Sequence, residues 1–177
     1  MKGEVLMQVK RAYTEVITRK YPEGVAIAIA KDSAGKYNPI TLGWTMITSH
    51  KPPMMAIAVS LTHYSRRVIE EAGEFVLSFP SGAMAEAALF YGTNSGRDMD
   101  KMKEFPVATQ AATEVDSLLL SDAVANFECK LVSQMETGDH MLFAGHVVAA
   151  HMNQDDEVRR LYTWAPGYKM GEARIET

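Results

Sequence analysis

The chain has a single cysteine, Cys129, so no intrachain disulfide can form and no cysteine cluster can hold zinc or iron–sulfur. Its five histidines, His50, His63, His140, His146 and His151, form no HxxxH or HxH pair. His146 and His151 lie five apart, which suits neither one helix face nor one strand face. No protein metal site is expected. The two common glycine-rich nucleotide loops, G-x-G-x-x-G and G-x-x-x-x-G-K-[ST], are absent. No G-x-S-x-G elbow supports a serine nucleophile. No apolar run approaches 18 residues, so no membrane-spanning helix is expected. The N-terminal MKGEVLMQVKRAYTEV lacks the apolar core of a secretory leader. Basic excess is missing too. The net charge of −4 argues against a general nucleic-acid binder and fits poorly with an anionic membrane surface. A cytoplasmic protein is expected.

What is present is an ordinary globular composition. Of 177 residues, 47% are apolar and 23% charged, which suits one domain over 1–177 with a single sizeable core. The twelve methionines read as soft core filler. VAIAIA, 25–30, reads as a well-buried strand between Pro22–Gly24 and the turn-forming KDSAGKYN. PITLGWTMITS alternates Ile40, Leu42, Trp44 and Met46 with smaller residues and reads as a second strand, hairpinned to the first. MMAIAVSL and EFVLSFP read as further strands. Between them THYSRRVIEEAG predicts a two-turn helix, with Ser65 as cap and Gly73 as terminator. SGAMAEAALFYG predicts a helix from Ser81 to a stop at Gly92, and NSGRDMDKMKEF starts another. VDSLLLSDA reads as a turn or short helix. ANFECKLVSQ and HMLFAGHVVAAHM read as an antiparallel hairpin joined by METGDH, with Cys129 inward and inert. Many short antiparallel strands with short inserted helices predict a closed or nearly closed β-barrel.

Four stretches can carry chemistry. SLTHYSRR, 60–67, places three hydroxyls and two arginines where a strand gives way to a helix, whose N-terminus favours anions. It is either a phosphate cradle or a capping serine with solvated arginines. GWTMITS offers an aromatic wall with hydroxyls, suited to a flat heteroaromatic ligand or simply to a core strand. His140, beside Asp139, can titrate near neutrality or serve as a turn residue. YGTNSGRDMDK, 91–101, is an anion cradle or a polar turn. If the cradle, Arg97 and Lys101 share one face of the helix that follows.

The order of these segments resembles the flavin reductase-like family of FMN-binding split barrels, most closely the flavoredoxins. VAIAIA, G-x-YN, T-x-x-W-T, PP, the hydroxyl-and-arginine turn, EFVLSFP, SGRDMDK, FECKL and GDHMLFAGHVV follow one another. The resemblance covers a core of about 21–152, and the tail, 153–177, is expected to pack on the site or on a partner subunit. It implies a mainly β fold with short helices, an antiparallel, Greek-key-like split barrel, and a homodimer with one FMN per subunit near the interface. It implies that Asn38, Trp44, Thr45, Met46, Ile47, Thr48, Ser60, Leu61, Thr62, Ser65, Arg66, Ser95, Gly96, Arg97, Lys101 and His140 bind the cofactor. Trp164, or alternatively Tyr168, covers it. Lys101 and His140 are the candidate catalytic residues. The expected activity is NAD(P)H-dependent reduction of free flavin, a ferric chelate or a redox protein through bound FMN. The alternatives are a flavoredoxin-type carrier without NAD(P)H activity, and a split-barrel module for another ligand such as haem, with His140 or His63 as axial ligand.

Overall fold

A computed structural model describes residues 8–173. The first part of the N-terminal stretch read for a leader, and the last four residues of the expected tail, lie outside the described residues. The chain runs through α1 (Tyr13–Val16), a 3-10 turn, β1 (Glu23–Gly24), β2 (Ala26–Lys31), β3 (Tyr37–Leu42), β4 (Thr45–His50) and β5 (Pro53–Ser60). Next come α2 (Tyr64–Ala72), β6 (Glu74–Phe79), a 3-10 turn over Gly82–Met84, α3 (Ala85–Thr93) and α4 (Lys101–Glu104). The remainder is β7 (Thr109–Ala111), β8 (Leu118–Leu120), β9 (Ala125–Thr137), β10 (His140–Met152), β11 (Leu161–Ala165) and β12 (Lys169–Glu172).

Seven strands form one antiparallel sheet in the order β3-β2-β6-β9-β10-β5-β4. Its two edge strands, β3 and β4, are consecutive in the chain and separated only by Gly43 and Trp44. Laid flat, seven strands at about 4.8 Å spacing would part the edges by about 29 Å. Three Cα–Cα steps reach at most about 11 Å. The sheet is therefore rolled into a barrel whose seam is crossed at Gly43–Trp44. This is why the expected single strand PITLGWTMITS is two. Its alternation continues through the break, but its two halves lie on opposite edges.

The strand VAIAIA is apolar throughout because both of its faces are buried. Ala26, Ala28 and Ala30 point into the barrel with Ile57, Val59, Phe75, Leu77, Cys129 and Phe143. Val25, Ile27 and Ile29 point outward, under Met84, Ala87, Ala88 and Tyr91. At about 25 cal/mol per Å² of apolar surface, each such valine, leucine, isoleucine, methionine or phenylalanine contributes about 1.5–3 kcal/mol, and each alanine about 0.8 kcal/mol. Cys129 is fully buried, and burial pushes its thiol up to about 12, so it is inert as expected.

Three local expectations change. Ser65 does not cap α2. His63 occupies the cap position, and Ser65 lies inside the helix accepting a hydrogen bond from Asn38 Nδ2 at 2.8 Å. Gly92 does not stop α3, which runs on to Thr93 with Asn94 as its end. A Cβ at 92 would lie 3.2 Å from Thr41 Cβ, so the glycine serves close packing of α3 on β3 rather than termination. VDSLLLSDA is not a helix, and it is turn only at Ser121–Asp122: Leu118–Leu120 forms β8, paired with β7. The loop before β8 is held by Glu128, which is fully buried. Its carboxylate accepts from the Thr113, Glu114 and Val115 amides, the Thr113 hydroxyl and His151 Nε2. Burial pushes its pKa up, but these donors more than reverse that and hold it at about 2.

The C-terminal segment adds β11 and β12 to β1 as a small separate sheet. Ser81 and Arg160 bridge it to the barrel, and Leu161 is fully buried. Among the described residues no helix is long and apolar enough to cross a membrane.

Candidate functional site

Two adjoining cavities open beside the start of α2. The first, about 270 Å³, is polar. Thr62, His63, Tyr64 and Ser65 form one wall. The 92–98 segment and Lys101 form the other. The second, about 450 Å³, runs from Thr41–Gly43 and His63 to Thr163 and Tyr168 of the C-terminal segment. His63, Gly92 and Thr93 line both.

The polar cavity is built by turns. Strand β5 ends at Ser60, whose Oγ lies 3.0 Å from Thr62 Oγ1, and the Leu61 amide donates to Asp139 O. This joins the 60–63 turn to the two-residue hairpin turn before β10. Across the cavity, Ser95 Oγ accepts from the Arg97 amide at 3.2 Å and turns the chain before α4. Arg97 and Lys101 consequently do not share a helix face, because α4 begins only at Lys101 behind its cap Asp100. Both still line the cavity. Gly96 sits against Asn38: a Cβ there would fall 2.0 Å from Asn38 Oδ1. That oxygen is buried without a hydrogen-bond partner.

Lys101 dominates the electrostatics. The residue is 3% exposed, yet among the described residues the one hydrogen bond of its side chain runs from Nζ to Tyr91 O at 3.0 Å, near the C-terminal end of α3. Burial pushes its pKa down to about 8. The His63 imidazole has its pKa lowered by burial first, then by His140 and Lys101. These are three basic groups near one another. Asp139 is bound to one of them, at 2.6 Å from His140 Nδ1, and it is itself exposed.

A wall continues from this cluster. The Trp44 and His140 rings lie 4.4 Å apart, tilted by 38°. Lys20 Nζ lies 5.5 Å from the centre of the Trp44 ring. Thr45 is half-buried, whereas Met46, Ile47 and Thr48 lie exposed on the edge strand β4. Asn38, Thr62, Ser65, Ser95, Gly96, Arg97 and Lys101 thus gather at the polar cavity, with Ser60 and Leu61 in its rim turn. Arg66 is not among the residues lining it. Arg66 pairs with Glu70 at 2.5 Å on the outer side of α2, and its Nε is buried without a partner. Trp164 packs on Tyr162 and lines neither cavity, while Tyr168 lines the second.

The role of His63 as the junction of both cavities was not legible beyond its place before YSRR. The second cavity draws on Tyr21, Thr163 and Met170, for which no local pattern existed.

A family model described as "Flavin reductase like domain" matches residues 18–171. The chain is 27% identical to a flavin reductase of Pseudomonas putida over 143 residues, 81% of each. It spans 67%, 64% and 64% of the length of three other curated relatives it matches. Its fold is similar to that of an FMN-binding protein from Thermus thermophilus crystallised with p-hydroxybenzaldehyde. The TM-score is 0.84 at 22% identity, covering 97% of this chain and 98% of that one. It is equally similar to the flavoredoxin of Methanosarcina acetivorans, with TM-score 0.84 at 23% identity, covering 97% and 94%. At these identities the likeness is one of fold.

Proposed function

The chain belongs to the flavin reductase-like family, and from that premise we propose that it binds FMN non-covalently and passes electrons from NADH or NADPH to a second acceptor. The observation that carries the reading is Lys101, a buried ammonium whose one side-chain hydrogen bond among the described residues goes to a backbone carbonyl, facing a cavity lined by hydroxyls and backbone turns together with Arg97 and Asp98. A phosphate there would supply the missing counter-charge. The unpartnered Asn38 Oδ1 and the close approach of Gly96 suit a ribityl hydroxyl passing between them. These features fit the cofactor.

In this reading Thr62, Ser65, Ser95, Gly96 and Arg97 hold the ribityl phosphate with Lys101. Arg66 reaches it by leaving Glu70. Trp44, Thr45 and the amides of Met46–Thr48 form the ring's wall, and Tyr168 rather than Trp164 covers it. When bound, the ring supplies the hydride and electron chemistry. His140, held by Asp139 and packed on Trp44, donates a hydrogen bond at the ring edge. The ammonium of Lys101 favours an electron-rich ligand. Ile47, exposed on the β4 edge, lines an apolar groove of about 470 Å³ with Phe79, Phe127 and Val148, which supports a homodimer with the wall near its interface. The setting is the cytoplasm, where NAD(P)H is available.

The likeness to a flavoredoxin supports a second reading, an FMN carrier without NAD(P)H activity. One experiment tests both. The purified protein is loaded with FMN, its spectrum recorded, and it is mixed anaerobically with NADH and NADPH. Rapid bleaching of the flavin band supports the reductase, and flavin that bleaches only with dithionite supports the carrier. A protein that takes up no FMN, or that shows a haem band instead, overturns both.

A further inference from the structure

A third cavity, about 360 Å³, lies where β10 ends and shares no lining residue with the two beside α2. His151 lines it with Gln110, Ser121 and Gln154, and Leu119 and Met152 add apolar surface. Behind the imidazole stands the fully buried Glu128. Its donors hold the Glu128 carboxylate at about 2, so it is ionised and can only accept. His151 Nε2, at 2.7 Å, must therefore carry its proton toward Glu128. A neutral imidazole in that tautomer keeps its lone pair on Nδ1. Nδ1 has no hydrogen-bond partner among the described residues, and neither do Ser121 Oγ or the side-chain amides of Gln110 and Gln154.

The charge is one-sided as well. No lysine or arginine lines the cavity, and among the described residues none pairs with Glu128. The Thr113, Glu114 and Val115 amides and the Thr113 hydroxyl are neutral donors, so they stabilise the carboxylate without cancelling its charge. A cation bound at Nδ1 would feel that charge across one imidazole ring. Its further N–H groups would find the Ser121 hydroxyl and the glutamine oxygens. An anion would meet a lone pair and a like charge.

We propose that this cavity binds a small organic ammonium ion, a primary amine whose N–H donates to His151 Nδ1 and whose carbon skeleton lies on Leu119 and Met152. His151 touches the ligand. Glu128 is a positioning residue that fixes the imidazole tautomer. The site does not rest on the flavin reading, and its occupancy is independent of FMN.

Cyclohexylamine, cyclohexanol and cyclohexanecarboxylate make the test, because they share a skeleton and at pH 7.5 are a cation, a neutral molecule and an anion. Each is titrated by calorimetry into FMN-loaded and flavin-free protein, and the histidine ring nitrogens are followed by NMR. Cyclohexylamine is expected to bind both forms equally. It should move the His151 Nδ1 resonance while Nε2 keeps its proton. Cyclohexanol should bind at least tenfold more weakly, and the carboxylate more weakly still. His151→Phe and Ser121→Leu, each checked by circular dichroism, should weaken the amine tenfold or more and leave FMN uptake unchanged. If His151→Phe fails to fold because it strands Glu128, Ser121→Leu decides alone, since it fills the cavity and leaves the dyad intact. No amine binding, or amine binding untouched by Ser121→Leu, overturns the proposal. Carboxylate binding as tight as that of the amine overturns it too, because His151 would then itself be the cation of the dyad. So does an amine that competes with FMN, which would place it in the polar cavity.

Discussion

Replacing Lys101 by methionine keeps the length of the side chain and removes its charge. It should stabilise the ligand-free protein and weaken its hold on FMN. Burial moves the lysine from 10.5 to about 8. At about 1.4 kcal/mol per pKa unit, keeping the ammonium charged at pH 7 costs about 3 kcal/mol relative to the unfolded chain. The variant also loses the Nζ–Tyr91 O hydrogen bond, worth about 1–2 kcal/mol, so the net gain is about 1–2 kcal/mol. The pH dependence has a definite sign. The folded pKa is the lower one, so between pH 8 and 10.5 the unfolded chain holds more protons and wild-type stability rises with pH. The methionine variant should lack that rise. A charge-assisted phosphate contact is worth about 1.5–3 kcal/mol, so FMN affinity should fall about 10- to 150-fold. Urea unfolding at pH 7 and pH 10 and a flavin fluorescence titration read these quantities. A variant less stable at pH 7 by 1 kcal/mol or more would show that Lys101 mainly caps α3 through Tyr91 O. Unchanged FMN affinity would refute the counter-charge argument.

Gly96→Ala forces a Cβ to within 2.0 Å of Asn38 Oδ1, so the 95–98 turn must shift. FMN affinity should drop at least tenfold with a modest fall in Tm, and an unchanged titration would refute the role of that turn. Arg66→Ala breaks a half-exposed pair with Glu70, which should cost under about 1 kcal/mol of stability in urea. It should weaken FMN less than Lys101→Met does, and a larger loss would show that Arg66 is the main phosphate ligand. The Glu128 carboxylate, held at about 2 from 4.5, contributes about 3 kcal/mol that is fully present above pH 4.5 and lost as pH falls toward 2. Glu128→Gln should remove it at pH 7. A variant whose unfolding midpoint is unchanged at pH 7 would refute the clamp.

The sequence made the elements legible where one local cause sufficed. The two-sided burial of VAIAIA, the β9–β10 hairpin and the end of α2 at Gly73 follow from periodicity and turn chemistry. It failed where a distant element decided the outcome. The alternation of PITLGWTMITS is unbroken, but the barrel seam cuts it at Gly43–Trp44. Gly92 looks like a helix stop, but its small size is used against Thr41 of β3. The triple leucine of β8 has no alternation, because its strand character comes from pairing with β7.

The site was legible in the same uneven way. Ser95–Gly96–Arg97 and Lys101 stood out through small residues beside cations, and the structure gathers them at one cavity with Thr62 and Ser65. The two arginines where the strand gives way to the helix suggested a phosphate cradle, but both have acids four residues on, Glu70 and Glu71. The enclosed charge is instead on Lys101, which the sequence marked as a candidate without showing its burial. Only the fold reveals that it is enclosed with a single partner. An i,i+4 acid can be counted along a helix, whereas burial of a cation cannot. An anion site should therefore be sought first at the cation that packing has deprived of water, and only then at the cations that cluster in the chain.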